Sequence, residues 1–135
     1  MKEPNIEEVI REGKVIIHPG RYVYLKSKDN DLDGHFLVAQ DMDEITVITE
    51  ESNLSNVEYY ESEKWFKLFE IKVSVPFLAG FLSKVIKPIA DAGYNTLIVS
   101  TFSKDYILTK EETFVEVAKI LEKLGFQVEI KEYTI

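Results

Sequence analysis

Apolar and polar residues alternate at the end of the stretch from Trp65 to Val75. Phe69, Ile71, Val73 and Val75 fall on one side, and Glu70, Lys72 and Ser74 on the other. A period of two predicts a half-buried strand. After Pro76 the period changes. Phe77, Leu78, Phe81, Leu82, Val85, Ile86, Ile89 and Ala90 recur about every four residues, the spacing of a helix with one buried face. Pro76 suits the first position of that helix, because its missing N–H is not needed there. Pro88 is expected to kink the helix or end it early, and Gly93 to stop it in the left-handed cap position. Two strands follow, Thr96–Phe102 and Tyr106–Lys110, joined by Ser103, Lys104 and Asp105. Thr113 and Glu116 have the spacing of a capping box. They open a second helix, buried along Phe114, Val117, Ala118, Leu121 and Leu124, and Gly125 closes it. Phe126, Val128 and Ile130 alternate in a last strand. The order strand–helix–strand–strand–helix–strand is that of a ferredoxin-like α+β sandwich, with both helices on one face of a four-stranded sheet.

The N-terminal half repeats this unit in reduced form. Ala39 to Ser52 aligns with Ser100 to Thr113 at an offset of 61 residues. Strand, short turn, strand and a Glu-Glu-Ser/Thr cap coincide, and an internal repeat of this kind points to tandem units. Arg21 to Lys26 supplies the first strand of the copy. Ser27 to His35 is too short and polar to replace the first helix, and Leu54 to Tyr60 allows at best a stunted second one. The residues after Met1 and the run Lys14–His18 predict a short helix and an edge strand. The expected organisation is two tandem ferredoxin-like units, a degenerate one over residues 1–64 and a complete one over 65–135.

Composition narrows the function more than the fold. The 135 residues include 24 Asp and Glu against 16 Lys and Arg, a formal charge of −8, and no cysteine. A globule of this size folds without staples, and without cysteine there is no disulfide, thiolate metal site or cysteine nucleophile. The negative charge and the absence of a basic patch argue against binding to nucleic acid or to an anionic membrane. No segment approaches the ~20 apolar residues of a membrane span. The acidic N-terminal stretch lacks the features of a signal or transit peptide, so the cytoplasm is the expected compartment. His18 and His35 stand beside Pro or Gly turns and read as surface residues, with nothing to set either against a carboxylate or a serine. No phosphate loop, dinucleotide fingerprint or metal spacing occurs, so no enzyme activity and no cofactor are expected. Asp29-Asn30-Asp31-Leu32-Asp33-Gly34 reproduces the first half of a calcium loop. Gln40 stands where the loop needs a bidentate Glu, and an acidic surface loop without metal is the expected outcome.

Chemistry converges around the first helix of the C-terminal unit. The opening N–H groups of a helix have no internal partner and, with its dipole, favour a carboxylate. Gly80 leaves room for close approach. The strand bearing Ser100, Thr101 and Phe102 is expected beside the strand that feeds the loop. There Thr101 offers a hydroxyl, and Asp105 a charge for an ammonium. Each residue also has a purely structural explanation. Gly80 suits close helix–sheet packing, Thr101 is a common strand former, Phe102 suits a core, and Asp105 suits a hairpin turn.

Phe77-Leu78-Ala79-Gly80-Phe81-Leu82, Pro88-Ile89-Ala90-Asp91-Ala92-Gly93, Ser100-Thr101-Phe102 and Asp105-Tyr106-Ile107-Leu108 together resemble the ACT domain of the CASTOR type, which includes tandem-ACT arginine sensors. The resemblance is specific over Phe66–Gln127 and weaker over Arg21–Tyr60. It implies a ferredoxin-like fold and a non-catalytic regulatory protein that binds an amino acid where two ACT units meet. It places Gly80, Ser83, Thr101 and Asp105 at ligand-contacting positions. Ligand is therefore expected at the Val75–Gly80 loop, including Phe77 and Leu78, and along Ser100, Thr101, Phe102 and Asp105. A homodimer and an unidentified regulated protein are the expected partners. The alternative is an ACT-type assembly module with no small ligand. The N-terminal unit lacks the glycine-bearing helix, and no ligand residues are assigned to it.

Overall fold

The periodic segments form a succession of short elements in a computed structural model that describes residues 5–29, 33–75 and 77–132. In chain order these are α1 (Ile6–Glu12), β1 (Lys14–Ile17), β2 (Tyr22–Ser27), β3 (Leu37–Gln40), β4 (Ile45–Glu50), β5 (Tyr59–Lys72), α2 (Phe81–Asp91), β6 (Thr96–Ser100), β7 (Asp105–Lys110), α3 (Phe114–Leu124) and β8 (Gln127–Ile130). Short 3-10 turns, Glu51–Asn56 and Glu111–Thr113, follow β4 and β7. Residues 1–19 and 67–135 make one compact unit, and residues 20–66 the other. The two are ferredoxin-like units in tandem, and α1 and β1 group with the C-terminal elements.

In the larger unit the sheet order is β8-β1-β5-β7-β6. A ferredoxin-like sheet of the four repeat strands would pair β8 with β5 directly. Here β1 lies between them, antiparallel to β5 through Ile17↔Phe69 and parallel to β8 through Val15↔Val128. The expected edge strand is thus an interior one. The reason is burial: Val15 and Ile17 are fully enclosed in the core with Phe69 and Ile71. Phe81, Val85 and Ile89 of α2 and Val117 and Leu121 of α3 cover the same core. A second correction concerns β6. It pairs with β7, and β7 pairs with β5, so the Ser100 strand is outermost and does not touch β5.

The helices depart from expectation at their ends. Phe77 and Leu78 precede α2, which starts only at Phe81 because Gly80 adopts φ +83°, outside any helix. The predicted helical role of Pro76 lies outside the described residues. Pro88 does not end the helix early: α2 runs to Asp91. At the C-terminus Tyr94 N–H donates to Ile89 O and Gly93 N–H to Ala90 O, the paired bonds that end a helix on a left-handed glycine. Thr113 forms no capping box. It stands at the end of the 3-10 turn, with its hydroxyl 3.5 Å from Lys110 O and no side-chain bond to the helix.

The smaller unit keeps the sheet order β3-β4-β2-β5, all antiparallel. Its core is Val23, Leu25, Val47 and Val57. No α-helix occurs among its described residues, and the 3-10 turn Glu51–Asn56 replaces the second helix. The two units align best at an offset of 60 residues rather than 61. The pairs that close the two hairpins are Gln40↔Ile45 and Ser100↔Asp105. The backbone bond inside each turn agrees, from Asp41 N–H to Glu44 O and from Thr101 N–H to Lys104 O.

The fully buried Phe69, paired with β1, anchors the larger core. Phe69→Ala is expected to cost about 3–5 kcal/mol. Met42→Ala, on a fully exposed side chain, should stay within about 0.5 kcal/mol. Urea unfolding followed by circular dichroism measures both.

Candidate functional site

The left-handed turn at Gly80 decides the chemistry of the start of α2. Gly80 has no side chain to cap the helix, and no side-chain cap bond is present. At α1, by contrast, Asn5 Oδ1 accepts the N–H groups of Glu7 and Glu8 at 2.8 and 3.4 Å. In α2 the Phe81 N–H donates to Leu78 O, and the first bond of the regular ladder runs from Lys84 N–H to Gly80 O. The N–H groups of Leu82 and Ser83 fall between these and have no hydrogen-bond partner among the described residues. Ser83 Oγ–H turns back to Gly80 O at 2.9 Å, so its hydroxyl braces the turn.

Facing this end is the β6–β7 hairpin. Asp105 was expected in the turn, but it is the first residue of β7 and only 6% exposed. Ser100 Oγ–H donates to Asp105 Oδ1 at 2.6 Å across the closing pair of the hairpin. Such a short bond is typical of a hydroxyl on an ionised carboxylate. Oδ2 has no hydrogen-bond partner among the described residues. Thr101 is exposed. Its N–H bonds to Lys104 O at 2.9 Å and its hydroxyl lies 3.4 Å from the same oxygen.

These two features border a cleft of about 870 Å³. Phe77, Leu78, Gly80, Ser83, Ser100, Thr101, Phe102 and Asp105 all line it, and Val75 does not. Ala79, Leu82 and Lys104 also line it, although the sequence did not single them out. Leu82 was assigned to the buried helix face, and Lys104 was passed over as a turn residue. Phe102, which suited a core, is fully exposed, as is Phe77.

Behind the hairpin lies a group that sequence reasoning missed. Glu70 was assigned to the polar side of its strand, but it is only 7% exposed. Its Oε1 is 2.8 Å from His18 Nε2, and its Oε2 is 3.7 Å from Lys104 Nζ. His18 is therefore set against a carboxylate after all. Its sequence signal was faint: Glu70 sits among the alternating polar positions of its strand, like Lys72. Burial pushes the Tyr106 phenol above its usual pKa. The nearby Glu70 carboxylate adds to the rise, and the Lys104 ammonium opposes it.

The other candidates resolve without a site. His35 Nδ1 is hydrogen-bonded to Thr49 Oγ1 at 2.9 Å. Residues 30–32 of the calcium-like loop lie outside the described residues. Asp29 Oδ2 accepts the Glu58 N–H at 2.8 Å. Among the described residues no group of three or more acids or histidines could hold a metal, and no helix is long and apolar enough to cross a membrane.

Known proteins resemble this chain in part of its sequence and in its fold. Residues 61–123 match the sequence model of the family described as "ACT domain". No curated protein matches the chain. Among solved structures, the fold is similar to a protein of unknown function from Vibrio cholerae described as a possible transport protein. That pair has a TM-score of 0.76 and 15% identity, covering 89% of this chain and 95% of that one. It is also similar to a protein from Agrobacterium tumefaciens, with TM-score 0.69 and 21% identity over 91% and 96% of the two chains. A putative C-terminal regulatory domain of aspartate kinase from Porphyromonas gingivalis has TM-score 0.61 and 14% identity, over 87% and 99%. The sequence match supports an ACT domain over residues 61–123, and the solved structures share the fold.

The Tyr106 environment gives a direct check. In a spectrophotometric titration of the phenols, one tyrosine should ionise later than the exposed ones, and Tyr106→Phe should remove that late step. The phenol is more protonated in the folded than in the unfolded chain, so folding stability should fall as pH rises through the ordinary phenol range. That loss should be smaller in Tyr106→Phe.

Proposed function

We propose that the chain is a non-catalytic sensor that binds an amino acid in the Gly80–Asp105 cleft, as a tandem ACT protein of the CASTOR type. The observation that carries this reading is the pairing of opposite receptors on one cleft. The orphan N–H groups of Leu82 and Ser83 suit a carboxylate. The free oxygen of Asp105, held by Ser100, suits an ammonium. A zwitterion satisfies both, whereas a simple anion would face the carboxylate unaided. Thr101 offers a further hydroxyl at the rim.

The open side of the cleft is completed by an ACT surface of a second subunit in a homodimer. The full exposure of Phe77 and Phe102 beside the cleft supports this, since two such rings in water are unfavourable until covered. Ligand then acts by favouring one packing of the subunits over another, in proportion to its differential affinity for the two. A partner protein reads that packing. The same two rings also support the alternative reading, an assembly module with no small ligand.

Thermal shift with the twenty amino acids separates the two readings. A ligand at one hundred times its Kd stabilises the native state by about 2.7 kcal/mol, which raises the melting temperature by roughly 10 °C for a chain of this size. Asp105→Asn keeps an acceptor for Ser100 and should leave the unliganded melting temperature nearly unchanged, while abolishing the shift. A response to no amino acid at millimolar concentration favours the assembly module.

A further inference from the structure

We infer that the cleft selects amino acids with an uncharged, apolar side chain, and that their affinity increases with side-chain size. The inference rests on the amino-acid reading above and follows from what remains of the cleft once the zwitterion's two ends are placed.

Five lining residues, Phe77, Leu78, Ala79, Leu82 and Phe102, present apolar surface. Two lining residues are charged, Lys104 and Asp105. Lys104 is already engaged within the chain: its Nζ lies 3.7 Å from the buried Glu70 carboxylate, and it also bonds the Tyr106 phenol. Among the described residues of one chain, the charge left facing the cleft is therefore the single negative charge of Asp105, which the ligand's own α-ammonium takes.

A ligand with an acidic side chain would bring a second anion toward Asp105 with no cation to receive it. A ligand with a basic side chain would have two cations and one acid, so one cation would lie against Leu82 and the phenylalanine rings without a partner. Leaving a charge unpaired in apolar surroundings is strongly unfavourable. An apolar side chain gains from the same surfaces. Each buried methylene is worth about a fourfold increase in affinity. The cleft is also large enough, at about 870 Å³, to take branched and aromatic side chains without clash.

Isothermal titration of the full chain with alanine, valine, leucine, methionine, glutamate, lysine and arginine tests this. Affinity should rise about fourfold per methylene from alanine to leucine, and the charged amino acids should bind at least about tenfold more weakly than leucine. If glutamate, lysine or arginine binds as tightly as leucine, the apolar selectivity is wrong although the cleft still takes amino acids. If none of the seven binds at millimolar concentration, both the selectivity and the amino-acid reading fail. Two variants locate the effect. Leu82→Gln keeps the backbone donor and the side-chain length, and Phe102→Ser alters a fully exposed ring that no core depends on. Each should weaken leucine by roughly tenfold and lower the ratio of leucine to alanine affinity. Leucine affinity unchanged in both folded variants would overturn the assignment of these surfaces.

Discussion

The structure turns on a helix that starts without a cap. Gly80 holds a left-handed conformation that side-chain-bearing residues rarely adopt, and it brings no oxygen to the first turn. Among the described residues, two backbone donors are therefore left at the start of α2. Unpaired donors buried by protein would be costly, so this end stays open. The hairpin opposite it carries a buried acid held from one side by Ser100. Neither half is unusual alone; together they form an opening with a positive pole and a negative pole.

The fold keeps these poles together through the position of β7. Because β7 pairs with both β5 and β6, Asp105 is carried at the start of an interior strand rather than in a loose turn. Its neighbour Lys104 reaches Glu70 on β5, which in turn meets His18 just beyond β1. The hairpin end is thus fastened from behind by an ion pair and a hydrogen bond while the cleft lies in front. The smaller unit lacks this arrangement. At the offset of 60 residues Asp105 corresponds to Ile45, and no α-helix occurs in the connection before β3 among its described residues. One unit therefore carries a two-pole cleft, and the other retains the sheet alone.

Much of this was legible in residue order. The alternation of Phe69 and Ile71, the four-residue spacing of Phe81, Val85 and Ile89, and the glycines after both long helices are local signals, and they gave the βαββαβ order. The candidate residues, apart from Val75, line one cleft. What was not legible depends on pairing across the sheet. Nothing in Lys14–Ile17 reveals that it will separate β5 from β8, because an apolar tetrad suits an edge as well as an interior. The burial of Glu70 depends on the distant His18 and Lys104. The late start of α2 was hidden because Phe77 and Leu78 continue the helical spacing, although the backbone at Gly80 does not allow a helix there. The one-residue error in the repeat arose from matching residue types, whereas the hairpin bonds fix the register.

The most direct test is to follow the backbone amides by ¹H–¹⁵N correlation spectroscopy while leucine is added. The two-pole cleft predicts that the Leu82 and Ser83 amide resonances move together, saturate at a single Kd and do so along with Asp105. The amides of residues 20–66 that bound no ligand should stay in place. Shifts centred on those residues, with Leu82 and Ser83 unmoved, would contradict the cleft as the binding site.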